Sequence, residues 1–161
     1  MRKALRQTVR ARYDFRCGYC GVTETNMGAE MTIDHFQPRA HGGTDDFDNL
    51  VYCCHPCNEF KGEYWQIEPN LRLLHPMFDN VAEHYREQND GTLLAVTERG
   101  ANHIQVTHLN RVKQIARRLE QQEIAATRAR CRNLEGIVAE LQQRENNNRR
   151  RLSRRRRNPE A

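Results

Sequence analysis

Two Cys-x-x-Cys pairs enclose the residues of this 161-residue sequence whose types and spacing could do chemistry. The first pair is Cys17 and Cys20, and the second is Cys54 and Cys57. Four thiolates at this spacing can bind one Zn²⁺ ion tetrahedrally, and the ion then stabilises a segment too short to form its own core. We therefore predict a structural zinc site on these four cysteines.

Two further cysteines need an assignment. Cys53 competes with Cys54, but Cys54-x-x-Cys57 repeats the spacing of the first pair, so Cys54 is the predicted ligand. Disulfides are not expected, because the pairs have metal-ligand spacing and the N-terminus lacks the apolar stretch of a secretory signal. Cys131 lies among apolar positions of a helical pattern and is predicted to pack as a small hydrophobic residue.

An acid, a histidine and two asparagines accompany the cysteine pairs, namely Asp34, His35, Asn49 and Asn58. A neutral imidazole can take a proton from water near pH 7, which makes His35 a candidate general base. Hard oxygen ligands hold Mg²⁺ or Mn²⁺, so Asp34 and Asn58 are candidate ligands of a catalytic cation. Asn49 is predicted to orient the His35 ring or the loop by hydrogen bonds. Together these groups suit hydrolysis of a phosphodiester bond.

The same residues resemble the zinc-braced HNH endonucleases. The resemblance lies in Met31-Thr-Ile-Asp-His-Phe-Gln-Pro-Arg-Ala-His-Gly-Gly, in Asp48-Asn-Leu-Val, and in Cys54-x-x-Cys-Asn-x-x-Lys-Gly. The three name-giving positions correspond to His35, Asn49 and Asn58, with asparagine where many relatives carry the last histidine. The matching positions are closely spaced over residues 10–65. It implies a ββα-metal module, a catalytic site at these positions and Asp34, and DNA cleavage that leaves 5′-phosphate and 3′-hydroxyl ends.

Candidate DNA-binding residues lie inside and outside this segment. Lys61 follows Asn58 by one helical turn and could contact a phosphate, and His41 in a glycine-flanked loop could approach the phosphate or the metal. Seven arginines at positions 149–151 and 154–157 account for the net charge of +5, since subtracting them leaves −2 for the other residues. Arg149, Arg150 and Arg151 are thus predicted to belong to a phosphate-binding tail, with a solvated disordered end as the alternative.

The local patterns predict the elements that must position these groups. Residues 3–15 have one apolar side and predict a helix that leads into the first cysteine pair. A short strand at 31–33 ends at Asp34 and His35, a second strand covers 49–52, and a helix runs from 55 to about 63. This order predicts an α+β fold, a small zinc-braced module of two strands and a helix.

Downstream, strands at 83–88 and 92–97 flank Asn89-Asp90-Gly91, a hairpin signal, and 104–106 could add a third strand. Apolar residues then recur at helical spacing from Leu109 to Leu141, which predicts a long helix. This helix either packs on its own chain or mediates homo-oligomer or protein-partner contacts. The predicted organisation is a nuclease module at 1–66, a hairpin extension at 67–108, a long helix at 109–144 and a disordered arginine-rich tail at 145–161.

The composition and motifs of the sequence exclude several classes of protein. No run of about 18 apolar residues exists, so no membrane span is expected, and we predict a cytoplasmic protein. A glycine-rich phosphate loop is absent, which argues against ATP hydrolysis by this chain.

DNA is the predicted partner. The alternatives are a zinc-braced DNA-binding or adaptor module without catalysis, or the nuclease subunit of a defence, restriction or mobile-element assembly.

Overall fold

A computed structural model describes residues 3–157 of the protein, with side chains described through Ser153. The described chain divides into two compact units. The first ends at Arg118 and the second begins at Leu119. The first unit contains both the predicted nuclease module and the hairpin extension.

The strands and helix predicted around the cysteine pairs are present. Helix α1 spans Lys3–Arg12, a short helix α2 spans Glu24–Met27, and the strands β1 and β2 span Thr32–His35 and Leu50–Cys53. Helix α3, His55–Lys61, follows directly. The strands pair antiparallel, with Asp34 opposite Val51 and His35 opposite Leu50. The predicted order of strand, strand and helix and the α+β class are confirmed.

The core of the first unit lies around β2, whose four residues are all buried. Val9 and Tyr13 reach this core from the N-terminal segment, while Met31 and Leu73 enter it from loops. A strand buried on both faces needs apolar residues at consecutive positions rather than alternation, and Leu50-Val-Tyr-Cys meets that need. The end of β1, where Asp34 and His35 lie, is therefore fixed against a rigid strand.

The hairpin prediction is also confirmed, but the third strand is wrong. β3 (Tyr85–Glu87) pairs antiparallel with β4 (Leu93–Ala95). Helix α4 (Glu98–Val106) occupies the positions predicted to form the third strand. The Thr97 hydroxyl caps this helix by accepting a hydrogen bond from Gly100 N at 3.0 Å. Thr97 followed by Glu98 is an N-terminal helix signal that outweighs the local Ile-Gln-Val alternation.

The last helix, α5, runs from Val112 to Arg157. It starts later than predicted because the chain turns between α4 and α5, with His108 at φ 50°. Residues 145–157, predicted to belong to a disordered tail, continue this helix in the structure. No glycine or proline interrupts the sequence from Ile137 to Arg157, and Glu145 pairs with Arg149 one turn later at 2.6 Å, which supports a helix. Residues 158–161 lie outside the described part.

In the part of the chain that the structure describes, no helix is both long enough and apolar enough to span a bilayer.

Candidate active site and metal centre

The four predicted zinc ligands converge. The Sγ atoms of Cys17, Cys20, Cys54 and Cys57 all lie within 4.8 Å of one another, and those of Cys20 and Cys54 are 3.7 Å apart. Sulfurs bound tetrahedrally at about 2.3 Å from zinc are about 3.8 Å apart, so the cluster fits one Zn²⁺ ion. The choice of Cys54 over Cys53 is confirmed as far as the geometry of the cluster is concerned.

Two local turns bring these sulfurs together. In the first, Gly21 has φ 71° and its N–H donates to the Cys17 carbonyl at 2.8 Å, which closes a tight turn that few other residues would adopt. In the second, Cys54 is the residue that precedes α3, so Cys57 follows it within the first helical turn. Hydrogen bonds with Cys17 lower the pKa of Cys20 and of Cys54, whereas burial raises the pKa of Cys17. Binding of Zn²⁺ to all four thiolates must therefore release protons from the cluster.

Cys53 lies outside the cluster. It is the last residue of β2 and is completely buried. Burial raises the pKa of its thiol well above the usual range, so it stays protonated and packs as a small apolar group.

Two arginines from the C-terminal part of the first unit contact the cysteine cluster. Arg111 Nη2 lies 3.4 Å from Cys57 Sγ and 3.9 Å from Cys54 Sγ. Arg117 Nη2 donates to the Cys20 carbonyl at 2.6 Å. Four thiolates around Zn²⁺ leave a net charge of about −2, which the Arg111 guanidinium partly offsets. Sequence reasoning missed both residues, because nothing in the local pattern links them to cysteines more than 50 positions away.

Asp34 is buried and engaged in hydrogen bonds. Its carboxylate accepts from the Tyr19 hydroxyl at 2.6 Å and pairs with the Lys61 ammonium at 3.0 Å. Burial raises the pKa of Asp34, and the Lys61 charge and the Tyr19 hydrogen bond oppose that shift. The acid is therefore held firmly at the end of β1.

Lys61, predicted to contact a phosphate, is buried and pairs with Asp34 in the structure. Its side chain is 0% exposed, and its ammonium also donates to the His35 carbonyl at 2.8 Å. Lys61 is the last residue of α3, and the buried Asp34 carboxylate draws its side chain inward. Lys61 thus docks α3 on β1 instead of facing solvent.

His35 is partly exposed beside an acid that the prediction did not include. Its Nε2 lies 2.7 Å from Asp45 Oδ1, and Arg39 forms an ion pair with the same carboxylate. The hydrogen bonds with His35 and Arg39 lower the pKa of Asp45. Nε2 also lies 3.3 Å from Arg39 Nε, which could donate to it. The shorter contact with the Asp45 carboxylate favours the tautomer in which Nε2 carries the proton and Nδ1 is the acceptor of the neutral ring.

Asn49 braces the loop between β1 and β2. Its side-chain oxygen accepts from Gln37 N at 2.8 Å, and its Nδ2 donates to the carbonyls of Gln37 and Thr44 at 3.1 and 2.9 Å. A Cβ at Gly43 would lie 1.7 Å from the Gln37 oxygen, so the loop closes only with glycine there. Of the two predicted roles, these contacts match loop positioning.

The remaining predicted residues are more exposed. Asn58 is half-buried on α3, one turn before Lys61, and His41 is exposed in a 3-10 turn formed by Arg39–His41. In the described residues neither side chain has a hydrogen-bond partner. Arg149, Arg150 and Arg151 are exposed on α5 in the second unit.

Comparisons with known proteins find similarity in this part of the chain. The model of the HNH endonuclease family matches residues 17–63. The CRISPR-associated endonuclease Cas9 of Corynebacterium diphtheriae is 46% identical over 52 residues, which are 32% of this chain and 5% of that protein. No solved structure gives a significant match. The resemblance to HNH endonucleases that the motifs indicated is thus confirmed for residues 17–63.

Proposed function

We propose that this protein is a metal-dependent endonuclease that hydrolyses DNA phosphodiester bonds. The observation that carries the proposal is the His35 imidazole, held by Asp45 at the end of β1, within the segment that matches the HNH endonucleases. A histidine oriented by a carboxylate is the arrangement that a general base requires.

The proton transfer is assigned to His35 Nδ1. Because Nε2–H donates to Asp45 in this tautomer, Nδ1 keeps its lone pair and takes the proton of an attacking water. The resulting imidazolium is stabilised by the Asp45 carboxylate, whose lowered pKa keeps it ionised. Asn49 acts indirectly, since it closes the loop that carries Asp45.

Asp34 and Asn58 are the proposed holders of a divalent cation. A carboxylate offers about four lone-pair positions, and the Asp34 contacts with Tyr19 and Lys61 use three of them. One position on Oδ1 and the Asn58 side-chain oxygen remain, a hard donor set that suits weakly held Mg²⁺ or Mn²⁺. When bound, such an ion neutralises charge on the phosphate and on the departing oxygen.

DNA contacts are proposed for residues that remain exposed. His41, which is exposed in the loop between β1 and β2, is proposed to contact a phosphate. Arg149, Arg150 and Arg151 supply exposed positive charge on α5. Charges on an exposed helix contact the backbone of any sequence, so we expect little sequence specificity from them.

The test is plasmid cleavage by the full chain with Mg²⁺, Mn²⁺ or EDTA. We expect nicking only with a divalent ion and a loss of at least about 100-fold in the His35→Ala variant at unchanged zinc content. Asp45→Asn should lower the rate, whereas Asp46→Asn at the neighbouring exposed position should not. Cleavage in EDTA, or equal rates for His35→Ala and the parent, would contradict the proposal.

One observation favours a second function, a zinc-braced DNA-binding module without catalysis. Lys61 already neutralises Asp34, and the acid is only 7% exposed, which reduces its use as a metal ligand. This alternative predicts salt-sensitive DNA retention that persists in His35→Ala and no cleavage with either ion.

A further inference from the structure

The long helix carries an apolar stripe that the first unit does not explain. The side chains of Leu134, Val138 and Leu141 are 60%, 52% and 57% exposed. In a heptad written abcdefg, the stripe occupies the a and d positions over three heptads, at Ile124, Thr127, Cys131, Leu134, Val138 and Leu141. A stripe with this 3.5-residue repeat matches a partner helix that repeats in the same way.

We propose that α5 pairs with α5 of a second copy of this chain, as a parallel, in-register, two-stranded coiled coil over residues 123–142. The choice of side chains favours this arrangement. Two of the three a residues, Ile124 and Val138, are β-branched, and two of the three d residues, Leu134 and Leu141, are leucine. The exceptions are Cys131 at a and Thr127 at d. β-Branched residues at a combined with leucine at d favour parallel dimers over trimers and tetramers.

The charges beside the stripe complement a second copy of the same helix. In a parallel pair, each g residue faces the e residue five positions later on the partner. Glu123 at g would thus face Arg128 of the second copy, and Arg130 at g would face Glu135. By symmetry each contact occurs twice. All four side chains are exposed, and in the described part of the chain none of them forms an ion pair within its own chain.

The residues at the a, d, e and g positions also define where the paired region ends. Beyond Leu141 the next g and e residues are Arg144 and Arg149, which repel each other, and the a and d positions become Glu145 and Asn148. Before Ile124 the preceding a and d positions hold Arg117 and Glu120. The apolar a and d positions therefore run from Ile124 to Leu141, and like charges at g and e follow beyond Leu141, as expected for one defined interface of three heptads.

Gly136 fits this arrangement. It occupies an f position, on the side of the helix opposite the stripe, and a Cβ there would meet nothing within 4 Å. A glycine on the outer face costs about 1 kcal/mol of helix propensity but leaves the interface unbroken.

Sedimentation of the full chain tests the pairing. We expect a concentration-dependent dimer for the parent and a monomer for Leu134→Glu combined with Val138→Glu. Asn133→Glu combined with Ala139→Glu adds the same charge at c and b positions and should remain dimeric. A parent that is monomeric at high micromolar concentration, or a control that dissociates like the stripe variant, would overturn the proposal.

Cys131 reports the orientation. It is exposed, and its a position brings it beside its counterpart only in a parallel, in-register pair, where the Cα separation can fall in the range of about 4.4–6.8 Å that a disulfide needs. Mild oxidation with oxidised glutathione should give a linked dimer that Cys131→Ser abolishes. Moving the thiol to the outer face with Cys131→Ser and Asn133→Cys should not restore it. A dimer that fails to link through Cys131 would exclude this register.

A charge exchange supplies the last check. Glu123→Arg alone places like charges opposite each other and should weaken the dimer roughly tenfold. Adding Arg128→Glu restores opposite charges only if residue 123 faces residue 128 of the second copy. Failure of the double variant to recover the dimer would contradict the parallel pairing.

Discussion

The two sides of the Arg118–Leu119 bond differ in what they can bury. In the first unit, charged side chains such as Lys61 and Arg118 are 2% and 4% exposed. In the second, Leu134 and Leu141 face solvent. The first unit can bury charge because each such group has partners: Arg118 donates to the carbonyls of Gly91 and Leu109. The second exposes apolar groups because one helix has no interior of its own. Burial thus follows from available partners, not from residue type alone.

The largest expected effect concerns the metal centre of the first unit. Cys20→Ser removes one of four thiolates, and the unit should lose zinc and cooperative unfolding, because metal affinity and folding free energy are linked in so small a core. Zinc analysis and a thermal melt measure this. The matched control, Cys53→Ser, should keep its zinc; loss of zinc in that variant would show that the cluster was assigned to the wrong cysteine.

The buried ion pair should give the next largest effect. Lys61→Met leaves Asp34 buried without its counter-charge, which should lower the free energy of unfolding by about 3–5 kcal/mol. Urea unfolding at fixed free zinc measures the change. Lys113 is exposed, and Lys113→Met should change stability by less than about 0.5 kcal/mol. Equal values for the two variants would mean that Lys61 is not buried in solution.

His103 should make the first unit sensitive to acid. Burial lowers its pKa from 6.5 to about 4, with Arg99 and His84 acting in the same direction and Asp79 opposing them. Because the folded-state pKa is the lower one, the stabilisation is present above pH 6.5 and is lost as the pH falls toward 4, up to about 3 kcal/mol.

His103→Asn separates this effect from acid release of zinc. Asparagine keeps an acceptor near the position of Nδ1, which accepts from Leu74 N at 3.2 Å, but it does not titrate. The difference in unfolding free energy between parent and variant should therefore shrink as the pH falls from 6.5 to 4. A difference that is constant across this range would exclude His103 as the source.

A smaller effect is expected at Arg111. Arg111→Gln removes the cation beside Cys57 and should speed zinc transfer to a chelator about tenfold, as loss of a partner of a metal ligand commonly does. Arg128→Gln, on the exposed helix, is the matched control and should release zinc at the parental rate.

The smallest effect should come from the second unit. Leu134→Glu combined with Val138→Glu should leave zinc content unchanged and alter the unfolding free energy of the first unit by less than about 0.5 kcal/mol, because these residues add nothing to its core. A larger loss would show that the stripe stabilises the first unit.

The sequence predicted those features that depend on neighbouring residues. The cysteine spacing identified all four members of the cluster, and the Asn-Asp-Gly turn identified the hairpin. The strand at 104–106 failed because three alternating residues are ambiguous and the cap at Thr97 decides the matter.

The partners of single charged residues could not be predicted in this way. Asp45 as the partner of His35 depends on how the loop closes, and Lys61 as the partner of Asp34 depends on how α3 docks on β1. Arg111 at the cysteine cluster depends on the path of the chain after α4. In each case the residue type allowed several partners, and only the tertiary structure selected one.

The two arginines at the cysteine cluster also set an order of events during synthesis. All four cysteines have been made once residue 57 is added, but Arg111 and Arg117 follow more than 50 residues later. A nascent chain could therefore capture zinc early and would hold it without its arginine contacts until the C-terminal segment emerges. Arg117 closes onto Cys20 across 97 positions, so the contacts of the cysteine cluster are complete only once the last residues of the first unit have been made.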